Sequence, residues 1–180
     1  MATRIPIPAL IVALGVLTAT SPTPVSSQDA PLPPPREIPG INAEDRFPGG
    51  CVDCHIQYPE QNLDERFSTL LALWGQEVEA PLLEKTRASM RPGGTLEEMH
   101  PGTKPEVLND IPRSCIECHS RRSDEAPEIS RLVHLVHLVG GADNVFMTVF
   151  QGQCTHCHKL DLESGAWTVP SGPERAGGGG

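Results

Sequence analysis

Cys51-Val-Asp-Cys54-His55, Cys115-Ile-Glu-Cys118-His119 and Cys154-Thr-His-Cys157-His158 are three copies of one five-residue pattern. Between them they use all 6 cysteines of the chain. The sequence around them is poor in the side chains that usually fill a core. Aromatic residues make up 4% and hydrophobic residues 38% of 180 positions, against 19 prolines and 17 glycines. Such a chain buries little apolar surface for the backbone entropy it gives up on ordering. Something besides ordinary side chains must therefore supply the core. Fourteen basic residues against 23 acidic ones, a formal net charge of −9, argue against a nucleic-acid binder. No repeat of solenoid period is present.

The pattern Cys-x-x-Cys-His is the attachment signature of c-type haem. Two thiols add to the two vinyl groups on one porphyrin edge, and two intervening residues let both reach. The adjacent histidine then meets the iron as proximal ligand. A lone Cys-x-x-Cys can also be a redox dithiol, half of a zinc site or a disulfide clip. A zinc site would combine two pairs, leaving the third unpaired and all three histidines unexplained. Disulfide clips need no histidine after the second cysteine. The expectation is three covalent haems, attached through Cys51 and Cys54, Cys115 and Cys118, and Cys154 and Cys157. His55, His119 and His158 are the expected proximal ligands.

With these motifs and the pair His134 and His137, the region Cys51–His158 resembles the multihaem c-type cytochromes. The small trihaem and tetrahaem cytochromes of the c3/c7 type are the nearest comparison. The motif order differs from that type, because the motifs are widely spread and the histidine pair follows the second motif instead of preceding the first. The resemblance implies irons completed by a second histidine, and electron transfer between closely spaced haems by a carrier that is not itself an enzyme. Two other readings stay open. One is the haem subunit of a periplasmic oxidoreductase with one open iron position. The other is a haem-bearing link in a membrane or extracellular electron-transfer complex.

Three irons need three distal ligands, and four histidines remain outside the proximal positions: His100, His134, His137 and His156. His156 lies inside the third motif's own loop, poorly placed to reach over any haem. The distal candidates are His100, His134 and His137. Met90, Met99 and Met147 are the substitutes; a methionine sulfur raises the potential of its haem relative to two histidines. By default methionines fill gaps between apolar groups, and histidines like these also occur as ordinary core or loop residues.

His134 and His137 fall in a run rich in Leu and Val, for which a helix over 127–139 is expected, with Gly140-Gly141 as its stop. At i and i+3 their imidazoles share a face and can serve two adjacent haems. A strand, the alternative, would send them to opposite faces. Leu63, Phe67, Leu70, Leu71 and Trp74 predict an amphipathic helix over Gln61–Trp74, with its stripe against the first haem. Pro81–Met90 reads as a second helix, and Thr95 with Glu98 as the capping box of a short one before His100. Val145–Phe150 is a short apolar segment, helix or strand. The expected fold class is mainly α with extensive loops, organised around the haems.

Residues 1–27 read as a secretory signal. Arg4 precedes an uncharged apolar run, and Val25-Ser26-Ser27 offers small residues for cleavage before Gln28. An uncleaved N-terminal anchor is the alternative, although the run is shorter than the roughly 20 residues of a membrane span. The chain is therefore expected in the periplasm or otherwise exported. Residues 28–47 read as a Pro-rich linker, 48–170 as the trihaem domain and 171–180 as a disordered Gly-rich tail. The acidic surface predicts redox partner proteins with a basic docking patch. No nucleic acid is expected, and the N-terminal segment offers a tether to a membrane complex.

Overall fold

The computed structural model describes residues 33–176. The expected signal, its cleavage point, residues 28–32 of the linker and the four terminal glycines lie outside the described residues. The chain divides into Met1–Pro35 and Arg36–Gly180. The described residues of the first unit, 33–35, have no regular structure.

The second unit is made of short elements separated by loops. In order they are α1 (Cys51–Cys54), β1 (Gln57–Tyr58), β2 (Leu63–Asp64), α2 (Phe67–Trp74), α3 (Ala80–Ser89), α4 (Ile129–Leu138), α5 (Val145–Thr148), β3 (Lys159–Leu160) and β4 (Trp167–Thr168). The strands form two antiparallel two-residue pairs, β1 with β2 and β3 with β4. Short 3₁₀ turns carry much of the remainder, including the second and third cysteine motifs. Among the described residues no helix is long and apolar enough to cross a membrane.

Several elements differ from the sequence expectation. The helix expected over Gln61–Trp74 begins only at Phe67. Upstream, Pro59 opens a 3₁₀ turn and Asn62 takes a left-handed conformation (φ 52°), which reverses the chain into the β1–β2 hairpin. No helix follows Thr95. Glu98, needed to close the capping box, pairs instead with Arg87 at 3.1 Å, and the Thr95 amide donates to the Asp124 carbonyl. Val145–Phe150 starts as the short helix α5, because Asn144 accepts from the Phe146 and Met147 amides as an N-cap. Over 127–139 the structure has the helix α4, not a strand. The helix expected over Pro81–Met90 is α3, which runs Ala80–Ser89, shifted by one residue.

Both borders of the ordered unit also lie outside the expected 48–170. Ahead of it, Asn42 Oδ1 accepts from the Ile38 amide, Lys159 pairs with Asp45, and Phe47 packs edge-on against Phe150. Behind it, Gly172 and Ile111 exchange two backbone hydrogen bonds of 2.7 and 3.0 Å, and the Glu174 amide donates to the Leu108 carbonyl. The Glu174 carboxylate accepts from the Ser68 amide, and Arg175 pairs with the buried Asp53. Ser171–Arg175 is thus a strap joining Asp53 in the first motif and Ser68 to Leu108–Arg113, the segment ahead of the second motif, where a disordered tail was expected. Its polar side chains find partners that a reading of local composition does not include.

Only Val52 and Ile111 are buried hydrophobic residues among those described. Leu63, Leu73, Ile116, Val145, Val149, Leu162 and others stay exposed.

Candidate functional site

The three cysteine motifs share one closing hydrogen bond. In each, the histidine amide donates to the carbonyl of the first cysteine: His55 to Cys51, His119 to Cys115 and His158 to Cys154, all at 2.9 Å. One closed turn therefore gathers both thiols and the imidazole on a single stretch of backbone. The first of these turns, α1, starts at Gly50, whose φ of +65° admits few residues but glycine. Gly49 is as constrained in another way. A Cβ there would stand 2.6 Å from Asp53 Oδ1, and its absence lets the Gly49 amide donate to Asp53 Oδ2 at 2.5 Å.

Each motif histidine faces one histidine from outside the motifs. His119 faces His100 with ring centroids 6.2 Å apart, His158 faces His134 at 5.9 Å, and His55 faces His137 at 6.1 Å. The three distal candidates are thereby distributed one to a motif. His134 and His137, three residues apart on α4, reach two different motifs. His100 is delivered by a backbone bond in which its amide donates to the Trp74 carbonyl at the end of α2.

Four of these six rings are oriented by backbone carbonyls. Nδ1 lies 2.9 Å from the Glu65 carbonyl in His55, 2.8 Å from that of Pro127 in His119, 2.9 Å from that of Val133 in His137 and 2.7 Å from that of Pro101 in His100. A carbonyl only accepts, so Nδ1 carries the proton and Nε2 keeps its lone pair. Fixing the tautomer through the outer nitrogen is how metal-ligating histidines are prepared. Burial pushes the His55 imidazole down to about 4, opposed by the Glu65 carbonyl and reinforced by His137. His119 is lowered for the same first reason, with the Pro127 carbonyl opposing and His100 adding. Both are therefore neutral near pH 7, the form that binds a metal.

The remaining candidates sit elsewhere. His156 is buried among Phe47, Phe146 and Phe150 and faces no motif histidine. Met90 packs against Gly94 and Met147 against Gly152, while Met99 is exposed.

The thiols of different motifs also meet. Hydrogen bonding from Cys157 holds Cys51 below its ordinary value, and the same contact, with burial, raises Cys157. Burial, then the neighbouring Cys157 and Asp53, pushes the Cys54 thiol up to about 12. All six thiols are free.

Two imidazoles on one ion, each with a metal–nitrogen bond of roughly 2.0–2.1 Å and its nitrogen about 1.1 Å from the ring centre, bring their centroids to about 6.3 Å. The three observed separations fall close to that value. Among the described residues no three His, Cys, Asp or Glu side chains converge as a metal-binding group. The rings come in pairs, the number that an ion already held by a four-nitrogen macrocycle would need. Six thiols at matching places beside three of the rings complete a donor set suited to covalently attached haem.

Sequence inspection missed three supports of this arrangement: the carbonyls that orient the rings, the Phe67 ring stacked on His55 at 4.2 Å, and the Arg175–Asp53 pair inside the first motif. The position of Phe67 on the apolar stripe was the one available signal. Compared with family models, with curated proteins and with solved structures, the chain finds no match.

Proposed function

We propose that this protein is an electron-transfer protein that carries three covalently bound c-type haems, each iron held between two histidines. The observation that carries the reading is the facing of one motif histidine and one non-motif histidine three times, at 5.9–6.2 Å. Cys51 and Cys54, Cys115 and Cys118, and Cys154 and Cys157 would hold the porphyrin edges. His55 with His137, His119 with His100, and His158 with His134 would hold the irons. When bound, the haem supplies one-electron chemistry between ferric and ferrous iron.

The chain's own part is to bind, orient and shield. Two imidazoles per iron would leave no position for a substrate, which favours a carrier over an enzyme. The carbonyls of Glu65, Pro127, Val133 and Pro101 hold four of the six rings in place, which would keep reorganisation small when a bound haem changes charge. α4 supplies ligands three residues apart to two sites, which keeps those sites adjacent. The acidic net charge favours partners with a basic docking patch. Export, which covalent haem attachment requires, fits the apolar N-terminal run.

The direct test is a haem stain and intact mass of protein exported from a host with cytochrome c maturation. Three covalent haems per chain are expected; any other number overturns the proposal. Carbon monoxide binding to the fully reduced protein should be absent, whereas binding at one site in three would favour the oxidoreductase subunit.

A further inference from the structure

The three histidine pairs have similar separations but different ring orientations. His100 and His119 are within 16° of parallel, and His134 and His158 within 25°. His55 and His137 cross at 79°. The crossing has identifiable causes on both rings. His55 is held by its Nδ1 bond to the Glu65 carbonyl and by Phe67, stacked on it with 29° between planes. His137 is held by its Nδ1 bond to the Val133 carbonyl on its own helix, and by Phe146 standing edge-on at 5.4 Å and 87°. Neither ring can turn toward the other without losing a hydrogen bond and an aromatic contact.

We infer that the site formed by His55 and His137 is electronically unlike the other two and is the first to be reduced by a one-electron donor; this rests on the haem reading above. Parallel imidazoles both interact with the same iron d orbital of π symmetry. They raise it above its partner, so the single vacancy of ferric iron has a favourable place. Crossed imidazoles act on both orbitals alike, the two stay nearly degenerate, and that stabilisation of the ferric state is lost. Ferrous low-spin iron has both orbitals filled and is almost indifferent to the orientation. Crossing therefore favours the reduced state. One electron is added, and no ligand bond or proton changes place. Phe67 and Phe146 act here as positioning residues, through the imidazoles they hold. The ion pair of Arg175 with the buried Asp53 keeps the carboxylate of the first motif from opposing the effect by holding positive charge on the iron.

The test is electron paramagnetic resonance of the full-length ferric protein during a redox titration with dithionite. The expected spectrum has two rhombic low-spin signals and one strongly anisotropic low-spin signal, and the anisotropic one disappears first. His137→Ala should abolish the anisotropic signal and leave both rhombic ones. If that variant does not fold, His100→Ala should remove one rhombic signal and spare the anisotropic one. Three rhombic signals, or an anisotropic signal that does not disappear first, overturn this inference while leaving the haem reading standing. A ferric protein with no low-spin signal overturns both.

Discussion

Asp64 accepts hydrogen bonds from the Arg66 side chain at 2.5 and 2.8 Å, from the Arg66 amide at 3.2 Å and from the Thr69 hydroxyl at 2.9 Å. These bonds, the Arg66 side chain's first, hold its carboxyl well below the usual carboxylate range. They also fix where α2 starts, and hence where Phe67 and its contact with His55 fall. A group whose folded pKa is depressed stabilises the fold above its ordinary pKa, and that contribution is lost as pH falls through the folded value. Asp64→Asn should therefore lower the thermal midpoint at neutral pH, with the difference from the parent shrinking on acidification. Melting curves by circular dichroism from neutral into the strongly acidic range would show it; a difference that does not vary with pH would contradict it. At this scale the sequence was most legible. The cysteines and their neighbouring histidines declare themselves by spacing alone, because their chemistry is local. Asp64 falls inside the helix expected over Gln61–Trp74, because nothing in its neighbours' identities shows that the hairpin ahead of it ends there.

The element with most to say about the site is α4, whose two histidines serve different motifs. One inserted alanine between Leu135 and Val136 would rotate everything beyond it by about 100°. His134 should keep its place against His158 while His137 leaves His55. The expected outcome is carbon monoxide binding to the reduced protein at one site in three; no binding, or binding at two, would contradict the assignment. That α4 is a helix with both histidines on one face was readable from period and terminators. Which motif each histidine meets was not, since pairing depends on how loops return the chain. The same holds for His100. A short capped helix was expected around it, yet Arg87, an element away, takes the glutamate that would have closed the cap. The Ser171–Arg175 strap was hidden for a like reason: its partners Ile111, Leu108, Ser68 and Asp53 are all distant in sequence.

At the scale of the whole molecule, the two buried hydrophobic residues among those described are too few to balance the backbone entropy of so many ordered positions. Under the proposed function, the exposed Leu, Val and Ile side chains are the surface that flat apolar cofactors would cover. A chain with all six cysteines changed to serine should be largely unfolded by circular dichroism and unprotected in hydrogen exchange, whereas the loaded chain melts cooperatively. A well-folded cysteine-free chain would refute this. The acidic surface predicts that added salt slows reduction by a basic partner protein, measured by stopped flow; indifference to salt would count against docking by charge. The contact between Cys51 and Cys157 has a consequence for how the molecule is made. These thiols belong to different motifs, so an oxidant acting on a folded chain whose cysteines are still free would link them and block two motifs at once. Under the proposed haem attachment, a reductant present during loading should therefore raise the yield of fully loaded protein.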